Sequence, residues 1–229
     1  MLEDGADILD IGACSTRPGS VEPDEETEKK RLKEALSVIR MEYPDATLSV
    51  DTFRSGIAEW SVKEYGVQII NDVSGGNLDS RMFEIAGKLN VAYVLMHMLG
   101  SPGNMQSNPR YQDVIGDISL FFADRIMKLT QEGVADIILD PGFGFGKTIE
   151  HNYDMLNRLK EFEIFERPIL VGLSRKSMIY NVLMGAPESS LNGTSVLNAA
   201  ALINGAGILR VHDVKQAFEC IRLIERLKN

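Results

Sequence analysis

Seven short apolar runs, rich in β-branched residues, constrain the fold of this chain more than any other feature. They recur at about 30 residues per unit, which is the length of a strand–helix–strand unit. Helical patterns between them predict helices over Glu25–Met41, Ser55–Tyr65, Ser80–Leu89, Asp113–Glu132, Ile149–Phe162, Lys176–Met184, Ser195–Ile203 and Val214–Leu227. The runs are nearly continuous rather than alternating, as expected of parallel strands covered on both faces. They are ADILDIG (6–12), TLSVDTF (47–53), QIINDVS (68–74), AYVLMHM (92–98), DIILDPG (136–142), PILVGLS (168–174) and GILRVHD (207–213). The pattern predicts an α/β fold with a parallel sheet.

Polar residues at the carboxyl ends of these runs favour a barrel over a doubly wound sheet. A (β/α)₈ TIM barrel places ligand-binding groups after most of its strands, whereas a doubly wound sheet needs them only near its switch point. Helix capping explains Asp10 and Asp72, but it does not explain cations after the last two runs. The strand ends carry Asp10, Asp51, Asn71, Asp72, His97, Asp140, Ser174, Arg175, Lys176, Arg210, His212 and Asp213.

An eight-unit barrel needs one strand more than the seven runs supply. Met1–Gly5 (MLEDG) reads as the tail of a helix that leads into the first run. No Pro/Ser-rich linker or change of composition divides the chain. We therefore expect residues 1–229 to form a single, N-terminally incomplete barrel domain with about seven of the eight βα units.

Composition excludes several classes of function. The formal net charge is -9, from 24 basic and 33 acidic residues, which argues against a basic surface for nucleic acid. Cys14 and Cys220 lie too far apart for a zinc motif and suit a reducing compartment. No apolar run approaches the ~20 residues of a membrane span, and the N-terminus lacks the basic start of a signal peptide. We expect a cytoplasmic protein that binds neither nucleic acid nor membranes.

Two groups of strand-end residues suggest binding chemistry. Ser174 to Ser177 (SRKS), with Arg210 and His212, combine cations and hydroxyls in a way that suits a phosphate or diphosphate. Asp51, Asn71 and Asp140 would accept hydrogen bonds from a heterocycle with a guanidine-like edge. Hydrolysis by paired acids and binding of a divalent metal compete with that interpretation, and the spacing does not decide between them.

The loop GFGFGKT (142–148) resembles a phosphate-binding loop but lacks one of its glycines. That motif requires glycine where this chain has Pro141, so we reject it. We expect Phe143 to pack inward and Phe145 to form a wall of the site. Met98 could contact a flat ring, and His97, at the end of its strand, could line the site.

Seven motifs, in order and each after a predicted strand, together resemble the dihydropteroate synthases, a family of pterin-binding barrels. They are DIGACSTRPG (10–19), SVDT (49–52), INDVSG (70–75), LMHMLGSPGNMQ (95–106), DPGFGFGK (140–147), GLSRKSMI (172–179) and RVHDV (210–214). The resemblance covers the chain from Gly5 almost to its end. It implies a transferase of folate biosynthesis that joins 6-hydroxymethyl-7,8-dihydropterin diphosphate to 4-aminobenzoate, giving 7,8-dihydropteroate and releasing diphosphate.

The resemblance also implies roles for individual residues. The catalytic residues would be Lys176, Arg210, His212 and Asp51. The pterin would be bound by Asp51, Asn71, Met98, Asp140, Lys176 and Arg210. The aminobenzoate would be bound by Thr16, Arg17, Pro18, Phe145, Lys176 and Ser177. The diphosphate would be bound by Arg17, Arg210 and His212.

Further expectations follow from the same resemblance. Mg²⁺ would accompany the diphosphate, with no metal ligand in this chain, since the usual asparagine belongs to the first βα unit. A homodimer through the late helices is expected. Because that first unit is lacking, we expect weak pterin binding and slow turnover. A corrinoid-linked methyltetrahydrofolate methyltransferase and a non-catalytic pterin-binding fragment are the alternatives.

Overall fold

All seven apolar runs form strands in the computed structural model, which describes residues 1–14, 23–100 and 109–228. The strands pair in parallel and in chain order, as a five-stranded sheet of β1 to β5 and a pair of β6 with β7. A bridge between Leu139 and Ile169 connects the two parts. The strands are β1 (Ile8–Gly12), β2 (Thr47–Asp51), β3 (Ile69–Asp72), β4 (Ala92–Met96), β5 (Ile137–Asp140), β6 (Leu170–Val171) and β7 (Ile208–Leu209). The predicted parallel sheet is confirmed.

Helices connect successive strands. They are α1 (Glu25–Glu42), α2 (Ser55–Tyr65), α3 (Met82–Leu89), α4 (Val114–Gln131), α5 (Ile149–Asn157), α6 (Ser177–Tyr180), α7 (Leu191–Ile203) and α8 (Val214–Lys228). Side chains of Asp24 and Asp113 cap α1 and α4 by accepting hydrogen bonds from first-turn amides. None of the helices within the described ranges is both long and apolar enough to cross a membrane.

Four helix predictions were wrong in extent, and one of them is the helix expected from Ser195, which begins at Leu191 as α7. Met1–Gly5 contains a single 3₁₀ turn (Leu2–Asp4) rather than the tail of an α-helix. The helix expected over 149–162 ends at Asn157 and continues as a 3₁₀ helix (Leu159–Phe165). The helix expected over 176–184 is only the four residues of α6.

The core has two layers because side chains alternate between the faces of each strand. Leu48, Val50 and Leu139 point outward and pack with helical residues such as Leu36 and Phe122, all fully buried. The inward-facing residues form a separate, smaller apolar cluster of Ile69, Val94 and Leu170, against which Ile8, Ala92, Ile138 and Ile208 pack. Polar residues at the strand ends therefore lie above an apolar floor.

The barrel is open between its first and last strands within the described residues. β1 pairs only with β2, and β7 pairs only with β6. A cavity of about 300 Å³ separates β1 from β7 and α8, and its walls include Ile8, Leu209, Ala217 and Phe218. The seven strands follow the order of a TIM barrel, in agreement with the expectation of about seven βα units.

Candidate active site

The candidate site lies at the carboxyl ends of the strands, where the sequence placed it. Strand register brings its side chains together, since Gly12 of β1 pairs with Asp51 of β2, and Asp51 pairs with Asn71 of β3. Asp140 closes β5, and Arg210 directly follows β7. Residues far apart in the sequence thus meet at one rim.

Arg210 is the centre of this cluster. Its Nε donates to Asp10 Oδ2 at 2.7 Å, and its Nη2 donates to Asp51 Oδ2 at 2.9 Å. Asn71 Nδ2 donates to the same Asp10 oxygen at 2.9 Å. The guanidinium therefore joins the last strand to the first two strands across the opening of the barrel.

The prediction that Asp10 caps a helix was wrong. Its carboxylate instead accepts hydrogen bonds from Arg210 and Asn71. A signal was present, because Asp10 lies two residues before Gly12, which pairs with Asp51 at the carboxyl end of β2. Asp72, the other acid that was predicted to cap a helix, does bind the backbone, since its carboxylate accepts hydrogen bonds from the amides of Ser74 and Gly76.

Burial sets the protonation of the two acids that face the ligand cavity. The pKa of Asp51 is raised to about 7 by burial and by the neighbouring Asp10 carboxylate, against the lowering effect of Arg210. Burial also raises the pKa of Asp140, while the Lys176 ammonium and a hydrogen bond from the Gly142 amide lower it. Both acids are poorly solvated and are suited to ligands that donate hydrogen bonds.

Lys176 lies beside Asp140 and the aromatic loop. Its Nζ donates to the carbonyl of Phe143 at 2.5 Å and lies 4.8 Å from the centre of the Phe145 ring. Burial lowers the pKa of Lys176 to about 8, although the Asp140 carboxylate raises it. The ammonium is therefore held between an acid and an aromatic face.

The predicted anion-binding group is only partly brought together. Arg175 Nε and Nη2 each donate to Asp213 at 2.9 Å, and its Nη1 donates to the carbonyls of Pro187 and Glu188. Arg175 therefore ties loops together rather than facing the ligand cavity. Ser174 Oγ lies 3.0 Å from His212 Nδ1 and accepts from the His212 amide.

The remaining site residues divide into three groups. Phe145 and Met98 pack in one apolar cluster with Val73 and Met96, so they form a common wall, while Phe143 is fully buried as expected. Ser177 is exposed at the first position of α6. Thr16, Arg17 and Pro18 lie outside the described residues.

Comparison with known proteins decides the family. Residues 1–212 match the family model of pterin binding enzymes. The dihydropteroate synthase of Escherichia coli K12 is 40% identical over 227 residues, which cover 98% of this chain and 79% of that protein. The chain belongs to the dihydropteroate synthase family. The enzyme of Neisseria meningitidis serogroup C is 39% identical, over 99% of this chain and 81% of that protein.

Solved structures of dihydropteroate synthases share the fold as well as the sequence. The Yersinia pestis enzyme, solved as a sulfonamide drug complex, superposes with a TM-score of 0.94 at 39% identity, covering 99% of this chain and 82% of that chain. The Thermus thermophilus enzyme in complex with 4-aminobenzoate gives 0.88 at 38% identity, covering 99% and 86%. These likenesses confirm the predicted barrel class.

Membership of the dihydropteroate synthase family confirms the main functional prediction from the sequence. The chain is a pterin-binding transferase of folate biosynthesis. The relatives we compared are dihydropteroate synthases, which favours this activity over a corrinoid-linked methyltransferase.

Proposed function

We propose that this rim binds a dihydropterin diphosphate beside 4-aminobenzoate and joins them with loss of diphosphate. The observation that carries the proposal is the set of Asp51, Asn71 and Asp140 at the carboxyl ends of β2, β3 and β5, with the guanidinium of Arg210 bound to Asp51. Acids and an amide bind an N–H-rich heterocyclic edge, whereas the cation attracts the anionic leaving group.

The pterin would lie with its polar edge toward these three residues. Asp51 and Asp140 are poorly solvated, so hydrogen bonds from ligand N–H groups would replace the water that they lack. Met98 would contact one face of the ring, and the Arg210 guanidinium would stack on the other. Lys176, adjacent to Asp140, would donate to a ring acceptor.

The second substrate would lie against the wall formed by Phe145. Lys176 Nζ lies over that ring and could bind a carbonyl or carboxylate oxygen of the ligands. Ser177 is accessible at the start of α6. Thr16, Arg17 and Pro18 would complete the pocket from the loop before α1. The relative solved in complex with 4-aminobenzoate supports a pocket of this kind.

The reaction exchanges one bond at the pterin methylene. The carbon–oxygen bond to diphosphate breaks, the aniline nitrogen forms a bond to the same carbon, and the nitrogen loses a proton to solvent. Positive charge develops on the pterin as the anion leaves, so stabilising the anion lowers the barrier. Arg210 and His212, with Arg17, are the residues we assign to the departing diphosphate.

Mg²⁺ would arrive with the diphosphate rather than occupy a site of its own. The described residues hold no group of three or more His, Cys, Asp or Glu side chains that could bind a metal. An ion bound mainly through phosphate oxygens needs only one or two protein ligands. Asp10 Oδ1 fits that requirement, because it is buried and has no hydrogen-bond partner among the described residues. When bound, the ion would neutralise the leaving charge.

We also propose a cytoplasmic homodimer that contacts through its late helices. Val196 and Ile203 on α7, and Leu223 and Leu227 on α8, are each more than half exposed. Apolar side chains clustered on neighbouring helices mark association surfaces. Light scattering that gave the mass of a single chain at micromolar concentration would exclude this dimer.

Turnover is expected to be slow because the opening between β1 and β7 lies next to Arg210, which also lines that cavity. Efficient transfer requires a site from which water is excluded. Calorimetry with the pterin diphosphate, followed by titration of 4-aminobenzoate, tests the binding steps, and diphosphate release tests turnover. Ordered binding of both ligands supports the transferase. Binding of the pterin alone would instead indicate a non-catalytic module.

The variant Asp140→Asn tests the assignment of the pterin edge. It keeps the shape of the side chain but removes one strong acceptor, so we expect pterin affinity to fall at least tenfold, equivalent to about 1.4 kcal/mol. Asp136→Asn, at an exposed position just before β5, is the matched control and should bind normally. Equal affinity of the two variants would refute the assignment.

A further inference from the structure

Lys147 is a buried lysine to which the proposed function assigns no role. Its side chain is 4% exposed, and its Nζ is surrounded by acceptors. It donates to the carbonyls of Gly142 at 2.9 Å, Phe145 at 3.0 Å and, at 3.4 Å, His97. It also lies 3.1 Å from His97 Nδ1, which accepts if the ring proton is on Nε2.

These contacts join two different loops. His97 belongs to the loop after β4 and immediately precedes Met98, whereas Gly142 and Phe145 belong to the loop after β5. Met98 and Phe145 pack in the same apolar cluster, which forms the wall of the proposed ligand pocket. A single ammonium group therefore binds the backbone on both sides of that wall.

The glycines of the second loop allow this close approach. A Cβ on Gly142 would lie 2.0 Å from the His97 carbonyl oxygen, and one on Gly146 would lie 2.6 Å from the Leu99 carbonyl oxygen. Both glycines have positive φ, 72° and 62°. The β5 loop is thus pressed against the β4 loop, with the Lys147 side chain between them.

Other donors hold the same loop. Lys176 donates to the Phe143 carbonyl, and Tyr111 Oη donates to the Gly146 carbonyl at 2.9 Å. Side chains from other parts of the chain thus bind the loop at Phe143 and Gly146, and Lys147 binds it at Gly142 and Phe145. Burial lowers the pKa of Lys147 to about 7, against the raising effect of Asp140. The environment of Lys147 therefore favours hydrogen bonds from Nζ to backbone carbonyls over a solvated charge.

We propose that Lys147 is a positioning residue that holds the Phe145 side of the ligand pocket in its binding conformation and so determines affinity for the second substrate. It touches neither substrate and acts through the backbone of Phe145 and His97. The inference rests on the proposed function, which places the aminobenzoate against Phe145. A preformed wall reduces the ordering cost that binding would otherwise carry.

The test compares Lys147→Met with wild type. Methionine fills similar space but donates no hydrogen bond, so the loop is released without a large cavity. We expect the Kd of 4-aminobenzoate, measured in the presence of a pterin and diphosphate, to rise about tenfold. The Kd of the pterin diphosphate should change less than threefold, because Asp51 and Asn71 are held independently. Lys160→Met, at an exposed position, is the control.

A double-mutant cycle with Phe145→Ala tests the route of the effect. If Lys147 acts through the Phe145 wall, adding Lys147→Met to Phe145→Ala should weaken aminobenzoate binding by less than twofold further. Additive losses, equal losses for both ligands, or no loss in Lys147→Met would each overturn the inference. Should the methionine variant fail to fold, Lys147→Gln keeps two N–H donors on a shorter side chain, and the same selective loss is expected. Absence of ligand binding by the wild-type chain would instead refute the proposed function.

Discussion

Replacing Asp51 by asparagine should stabilise the ligand-free protein at alkaline pH while it weakens pterin binding. Asp51 is surrounded by buried groups, and Asp10 lies close enough to raise its pKa. Arg210 compensates only in part, since Asp51 shares its guanidinium with Asp10. The Asp51 carboxylate therefore lowers the stability of the fold, and we attribute its presence to a role in ligand binding.

The size of the effect follows from the linkage between protonation and folding. The pKa of Asp51 is about 7 in the folded protein and has the ordinary value of 3.8 in the unfolded chain. Between these values the folded state holds more protons, so stability falls as pH rises through this window. The full shift corresponds to at most about 4 kcal/mol. We expect roughly half of that, because Asp10 and Arg210 share the titration.

Urea unfolding of both proteins at pH 5 and pH 8 measures this effect. Relative to wild type, Asp51→Asn should gain about 1.3 kcal/mol between the two pH values, which is half of the effect of the roughly two pH units from pH 5 to the folded pKa. Calorimetry should show a pterin affinity at least tenfold lower. Asp45→Asn, an exposed acid in the loop before β2, controls for net charge. A stability difference that does not change with pH would refute the electrostatic argument, and unchanged pterin binding would refute the assigned role.

Two other substitutions test the structure around the site. Gly142→Ala should destabilise the fold by about 3 kcal/mol in urea unfolding, because its Cβ would lie 2.0 Å from the His97 carbonyl oxygen at a φ of 72°. Gly133→Ala is the control, because Gly133 also has a positive φ but its Cβ would have no atom within 4 Å, and it should cost only about 1 kcal/mol. Equal losses of stability in the two alanine variants would contradict the steric argument. Arg175→Met should lower the urea midpoint through loss of its paired contact with Asp213, yet pterin affinity should stay within twofold. A larger loss of affinity would return Arg175 to the binding site.

The strands were predictable because burial on both faces leaves a strong sequence signal. All seven apolar runs became strands in the expected order. Helix boundaries were less predictable where glycine serves packing. The helix expected from Ser195 begins at Leu191, and it includes Gly193 because a Cβ there would lie 2.4 Å from Ile179. In the sequence alone, such a glycine looks like a helix breaker.

The candidate site was predictable in its location but not in every side chain. The sequence Ser-Arg-Lys-Ser does not reveal which cation faces the ligand, and a φ of 55° at Arg175 turns that residue toward Asp213. The role of Asp10 depends on Arg210, which lies 200 residues away. Pairings at such separation are set by the order in which the strands curve around the barrel axis, and they leave no local pattern.

The arrangement of charge at the rim is compatible with the two chemically opposite groups of the proposed ligand. Asp10 and Asp51 share the single guanidinium of Arg210, so the region between β1 and β2 favours ligands that donate hydrogen bonds. His212, beyond β7, lies on the other side of Arg210. In the proposed complex, a ligand with an N–H-rich ring and an anionic tail would lie with its ring over β2 to β5 and its tail toward β7. That orientation would place the reacting carbon beside Arg210, where charge separation would be stabilised.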